Sequence, residues 1–287
     1  MAWFILSIFT ALFASARDFQ SKKFLSHVDP LTVSWALSLF SVPVLGVALA
    51  FTDIPAVDST FCFLVAGAGS VLTVGWILYI KALSVSEMSL CIPLISFSPL
   101  FLLILAPLLF GEFPSLIGAV GVCLVVAGTY VLGVARASFG LFGPFRALLR
   151  EPGPRRMLAA AVAFSIAAVF EKAGIIRSSA LLFAFSENMF AALFMIPIIY
   201  FTHRSGFRET SAHWKILLPI GLSVAMMFVC QASAMRLGPV AYVVSVKRFS
   251  VLFSVLAGGL FLKEQQLGTR LAGSAVMVCG ILCIAWA

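Results

Sequence analysis

Ten apolar runs, each about as long as a bilayer core is thick, constrain this chain more than any other feature of its sequence. A hydrocarbon core takes about 20 apolar residues per helix, and a helix satisfies its own backbone polar groups. The runs fall at approximately 2–22, 31–51, 60–81, 87–110, 115–135, 157–176, 180–202, 215–235, 240–262 and 267–287. Composition agrees with that reading. The 287 residues are 62% hydrophobic and 10% charged, against about 45–50% and about 25% in ordinary soluble domains. Charged residues belong on wet surfaces, and too few are present to build one. Soluble enzymes, nucleic-acid modules and disordered tails are excluded. The expected fold is an all-α membrane protein with ten transmembrane helices in the lipid bilayer.

Most connections between runs are short and carry Pro, Gly or charge, such as Asp29-Pro30 and Gly111-Glu112-Phe113-Pro114. Residues 136–156 differ. They hold Arg136, Arg146, Arg150, Arg155 and Arg156 with Pro144, Pro152 and Pro154, interleaved with Phe139, Leu141, Phe142, Phe145, Leu148 and Leu149. That mixture suits a basic linker, part of it lying on the membrane surface. At the other extreme, Phe4–Ala16 ends in Ala14-Ser15-Ala16, which resembles a signal-peptidase site. The cations Arg17, Lys22 and Lys23 follow that run instead of preceding it, so a retained first helix is expected.

The two sides of the linker are related. A slide of 152 residues places Phe97-Ser98 on Phe249-Ser250, Leu100-Phe101 on Leu252-Phe253, Glu112 on Glu264, Gly121 on Gly273 and Gly128 on Gly280. A slide of 154 matches Pro43 with Pro197 and Arg17-Asp18 with Glu171-Lys172. The reading is an internal duplication: repeats at 1–135 and 157–287, joined by 136–156. Five helices per repeat is an odd number, so the copies enter the membrane in opposite directions. Inverted repeats of this kind build secondary transporters with the substrate site near the midplane, between the halves.

The net charge of +8 is read as cations gathered in cytoplasmic loops, not as a nucleic-acid surface. The odd-numbered connections hold most of them, which places those loops in the cytoplasm and both termini outside. The expected location is a bacterial cytoplasmic membrane. The six cysteines (Cys62, Cys91, Cys123, Cys230, Cys279, Cys283) lie in apolar runs without metal-ligand spacing. They read as small buried hydrophobes, and no metal or other cofactor is expected.

Taken together, the paired five-helix repeats, the Gly111-Glu112 and Lys263-Glu264 ends of the fourth and ninth runs, and the glycines that follow resemble the EamA-type members of the drug/metabolite transporter superfamily. The resemblance covers essentially the whole chain. It implies a transporter of small metabolites, with a central cavity lined mainly by the first, third, fourth, sixth, eighth and ninth helices.

Lys247 and Arg248 are the sharpest candidates. They stand about eight residues into the ninth run, where a cation costs about 2.5–3.5 kcal/mol on insertion scales. Adjacent helical residues point about 100° apart, so an Arg fork and a Lys point charge can hold different oxygens of one anion. The competing reading is an ion pair inside the bundle with Glu187. A Lys-Arg pair at this place is similar to that of the plastid triose-phosphate translocators, and nucleotide-sugar transporters carry a related lysine. That distant similarity implies phosphate or carboxylate binding by Lys247 and Arg248.

Other intramembrane polar groups complete the candidate set. Lys172 is expected as a third cation facing the cavity, with Glu171 or Asp18 as a titrating carboxylate. The competing reading makes both charged pairs interfacial helix ends. Ser186-Glu187-Asn188 reads as interhelical hydrogen bonding, with Glu187 also a candidate coupling carboxylate. Tyr79 and Gln231, equivalent under the 152-residue slide, are neutral candidates for the cavity wall, as is Trp76. Glu112 and Glu264 read as structural.

The expected function is secondary-active transport of a small polar, anionic metabolite, by a monomer or homodimer. The alternatives are an amino-acid or neutral-metabolite exporter, or a lipid-carrier flippase or non-transporting subunit. No His-Glu-x-x-His and no partnered nucleophile motif is present, so an enzyme is not expected.

Overall fold

A computed structural model describes residues 1–25, 28–86, 94–134, 151–253 and 267–287. Among them all regular structure is helical. The helices are α1 (Ala2–Phe24), α2 (Pro30–Leu39), α3 (Ser41–Leu49), α4 (Ser59–Val85), α5 (Ser98–Phe110), α6 (Leu116–Val134), α7 (Pro152–Arg177), α8 (Ala180–Thr202), α9 (Gly206–Ala212), α10 (Trp214–Leu237), α11 (Val240–Lys247) and α12 (Leu267–Trp286).

Local chemistry sets several boundaries. The Asp29 side chain accepts from the Leu31 N–H at 2.8 Å, and Pro30 opens α2 where no N–H is needed. Asp58 caps α4 through the Phe61 N–H at 2.8 Å, and Ser179 caps α8 through the Leu182 N–H at 3.2 Å. Gly111, at φ 65°, ends α5 in the left-handed conformation that a side chain would disfavour.

Among the described residues, six helical stretches are long and apolar enough to cross a membrane: Ala2–Phe24, Pro30–Leu49, Ser59–Val85, Pro152–Arg177, Ala180–Thr202 and Trp214–Leu237. Ser98–Phe110, Leu116–Val131 and Gly273–Trp286 are shorter apolar helices. The chain is therefore an all-helical, multi-pass membrane protein. The run at 31–51 is broken at Phe40 because Pro43 supplies no N–H for the Leu39 carbonyl. In the ninth run, α11 stops at Lys247 and helix resumes at residue 250. Lys263-Glu264, Cys91 and most of the basic linker lie outside the described residues.

The densest packing joins α6 to α12, α4 to α7 and α1 to α10, while α2 and α3 both rest on α8. Every one of these pairings joins an element before residue 135 to one after residue 150. Small residues let α6 and α12 approach closely. A Cβ built at Gly121 would stand 2.7 Å from the Gly280 carbonyl, and one at Gly128 would stand 2.6 Å from the Met277 amide. The cysteines correct the expectation of burial. Cys230 is buried, but Cys62, Cys123 and Cys279 are exposed on the outer surface. In a bilayer the outer face of a helix is apolar too, so hydrophobicity alone does not separate lipid from core.

Candidate functional site

The interruption of the ninth run falls on the residues that carry its charge. The Arg248 and Phe249 amides donate three residues back, to Ser245 and Val246, at 3.0 and 2.9 Å. This tightens the end of α11 into a 3₁₀-like turn. The fourth run breaks at the equivalent place, Ser96-Phe97, just before α5 begins at Ser98. The two breaks meet, since the Arg248 guanidinium donates to the Ser98 hydroxyl. Its Nε, also buried, has no hydrogen-bond partner.

Lys247 points elsewhere, as the 100° step between neighbours requires. Its ammonium donates to Gln231 Oε1 at 2.5 Å, and Gln231 Nε2 donates to Glu171 Oε2 at 2.7 Å. Glu171 Oε1 has no partner, nor does either carboxylate oxygen of Glu187, which is 1% exposed. Among the described residues neither Lys247 nor Arg248 forms an ion pair with Glu187. Its neighbour Asn188 turns the other way, donating to the Ala184 carbonyl at 2.9 Å and accepting from Ser41 at 3.2 Å. Interhelical bonding thus accounts for Asn188 and leaves Glu187 unexplained.

A third cation arrives from α1. Arg17 pairs with Asp18 at 2.6 Å and lies 4.9 Å from the Trp76 ring centroid and 5.6 Å from that of Tyr79. Both spacings suit cation–π contact. The Tyr79 hydroxyl donates to the same Asp18 oxygen at 2.9 Å.

These groups line two small adjoining cavities. One, of about 40 Å³, is walled by Arg17, Trp76, Glu171, Glu187, Gln231, Lys247 and Arg248 with apolar neighbours including Phe164 and Met227. The second, of about 20 Å³, adds Asp18 and Tyr79 and shares Arg17, Lys247 and Arg248. A water molecule needs roughly 10–15 Å³ measured this way, so the space admits a few waters and no metabolite. The structure is that of a contracted site. Its lining carries three cations (Arg17, Lys247, Arg248) and three carboxylates (Asp18, Glu171, Glu187).

Of the sequence candidates, Lys247, Arg248, Gln231, Trp76, Glu171 and Glu187 come together in the first cavity, and Tyr79 and Asp18 in the second. Lys172 does not join them. It follows Glu171 on the same helix and so points away, pairing with Glu112 at 3.0 Å. Arg17 is the residue that sequence reasoning passed over in favour of Asp18. The signal was present, since the 154-residue slide sets it on Glu171.

A search of curated proteins returns no match to this chain. A solved crystal structure superposes with a TM-score of 0.78 at 17% identity, covering 99% of this chain and 98% of that one. At that identity the likeness establishes the fold. The model of the EamA-like transporter family matches residues 1–134 and 156–286, nearly the full length in two halves. The chain is a membrane transporter and belongs to the EamA-like transporter family.

Proposed function

We propose that this protein is a secondary-active carrier of a small polar metabolite bearing a carboxylate or phosphate, moved by alternating access between two inverted five-helix halves. The repeats are residues 1–135 and 157–287. Three observations support the exchange symmetry. Breaks in the fourth and ninth runs stand 152 residues apart. The α1–α10 contact has its counterpart in α4–α7, since the first helix of each half packs on the third helix of the other. Tyr79–Arg17 and Gln231–Glu171 are likewise equivalent contacts under the two slides.

The observation that carries the substrate reading is the placement of Lys247 and Arg248. Both line a polar cavity at a helix break, and neither has a carboxylate in ion-pair reach among the described residues. An anionic group there would take the orphaned Arg248 Nε and the Lys247 ammonium as donors. Charge-assisted bonds of that kind are the strong ones. Trp76, whose indole N–H is buried and unpartnered, would supply a neutral donor from the wall. The cation count in the connections favours a bacterial cytoplasmic membrane with both termini outside.

Glu187 favours a second reading at the same site. Its two unpartnered oxygens belong to a residue lining the same cavity as the cations, a combination that suits a zwitterion with a carboxylate at one end and an ammonium at the other. Uptake into proteoliposomes separates the readings. Phosphates and dicarboxylates should compete with each other if the ligand is an anion, and only amino acids should compete if it is a zwitterion. Transport that survives Lys247→Ala unchanged for every substrate would remove both.

A further inference from the structure

We infer that Glu112 and Lys172 form a latch that holds the cavity shut at the membrane face where α5 ends, and that opening to this face requires their separation; this rests on the alternating-access reading above. Gly111 turns the chain out of α5 and presents Glu112 to the second half of the molecule. One carboxylate oxygen pairs with Lys172 at 3.0 Å, and the other accepts from the Val240 N–H at 3.1 Å. Val240 is the first residue of α11, where the N–H has no partner within the helix. The Lys172 ammonium also donates to the carbonyls of Met235 and Gly238, the latter at 2.9 Å, where α10 gives way to α11. One carboxylate from the first half and one ammonium from the second thus tie α5, α7, α10 and α11 together.

Neither residue lines either of the two cavities described above, so the substrate-binding chemistry placed there leaves them without a task. The helices they clamp are the ones that wall the site. Ala167, Ala168 and Glu171 come from α7, Phe228 and Gln231 from α10, and Val244 and Lys247 from α11. A metabolite entering from this face must part them. The seal above the pair is tight. Tyr242 accepts from the Ser115 N–H at 3.0 Å, and a Cβ on Gly238 would stand 2.9 Å from the Trp3 ring.

The opposite end carries a weaker version of the same contact. Lys22 of α1 donates to the Leu83 carbonyl at 3.3 Å, and the 152-residue slide takes Leu83 to Met235. Lys22 is exposed, whereas Lys172 is 6% exposed. Among the described residues Lys22 forms no ion pair, whereas the Lys172 contact adds the Glu112 carboxylate, which crosses from one half to the other.

The test introduces Ala168→Cys on the cavity wall of the full chain in proteoliposomes. A membrane-impermeant maleimide is applied from each face separately, with labelling read at that residue by mass spectrometry. The intact latch should make labelling slower from the Glu112 face. Glu112→Gln and Lys172→Met should each speed it from that face by about tenfold or more while slowing it from the other, as expected when a partly buried pair loses one partner and two states exchange. Lys172→Arg should stay near the starting rate. No change, or acceleration from both faces, would overturn the latch and leave alternating access standing. Equal labelling from both faces before any change to the pair would overturn alternating access itself.

Discussion

Lys247 meets Glu171 through the carboxamide of Gln231, which accepts from the ammonium at 2.5 Å and donates to the carboxylate at 2.7 Å. A direct ion pair would spend both charges on each other. The neutral spacer holds them apart and satisfies one hydrogen bond of each, leaving Glu171 Oε1 open to the cavity.

Replacing the spacer tests that arrangement. Gln231→Leu should lower stability by about 1–3 kcal/mol, the usual cost of leaving buried polar groups unpaired, read as thermal unfolding in detergent. Gln231→Glu should bind Lys247 directly but lose the donor to Glu171 and set a second carboxylate beside it, so it too should lower stability. Substrate affinity should then fall by about tenfold, a change of about 1.4 kcal/mol, measured by titration calorimetry.

Arg248 and Lys247 should not be interchangeable with each other. A fork that bonds Ser98 through one nitrogen and offers Nε to a ligand has no equivalent in an ammonium. Arg248→Lys should therefore weaken binding of a phosphate or carboxylate ligand by about 1.5–3 kcal/mol, the scale of a hydrogen bond to a charged group. Lys247→Arg should weaken it less, because a longer cation still reaches Gln231. Equilibrium binding of each variant decides the order.

Glu187→Gln distinguishes the two ligand readings. Removing a carboxylate that has no partner should leave stability unchanged or raise it, since an uncompensated buried charge is costly. Anion binding should tighten as the cavity becomes more positive. Zwitterion binding should weaken by tenfold or more as the ammonium acceptor disappears. Thermal shift across phosphates, dicarboxylates and amino acids reads all three.

The spans and the cavity charges were legible because both follow from the cost of polarity in hydrocarbon. A run of apolar residues and an isolated Lys247-Arg248 each stand out against that background. The break at Arg248 was not legible. No glycine or proline occupies 247–249, and the Ser98 hydroxyl that meets Arg248 at the turn comes from a distant part of the chain. The break at Phe40 could have been read from Pro43. Lys172 turns from these two cavities toward Glu112 because one helical step decides which face a side chain takes, and that partner, 60 residues upstream, is announced by no local pattern. Arg17 was passed over for a related reason: its aromatic platform, Trp76 and Tyr79, assembles only when α1 meets α4.

The α6–α12 contact offers a test of the packing that is independent of the ligand. Gly128 sits against the Met277 amide and the Gly273 carbonyl, both backbone atoms that cannot move aside as a side chain would. Gly128→Leu should cost about 1–3 kcal/mol by overpacking, with unfolding at lower temperature. Gly118→Ala meets the Tyr242 hydroxyl, itself the acceptor for Ser115, so its cost should be felt at the latch end of the fold.

The short helix α9 provides a pH-dependent contact outside the spans. Partial burial pushes the Glu209 carboxyl up, but its bonds with His203 at 2.9 Å, Thr32 at 3.1 Å and the Asp29 N–H at 3.4 Å outweigh that and hold it below the usual carboxylate value. A carboxylate depressed in the folded state contributes stability above its unfolded value of 4.5, and loses it as pH falls through the lower folded value. The docking of α9 against α2 should accordingly persist at neutral pH and weaken under acid. Glu209→Gln should unfold at a lower temperature than the unmodified chain at pH 7, and the difference should shrink steadily below pH 4.5. A gap that stays constant across that range would show that the carboxylate's charge contributes nothing to the contact, because an amide and a protonated acid differ little in shape but only the ionised form accepts from all three partners at once.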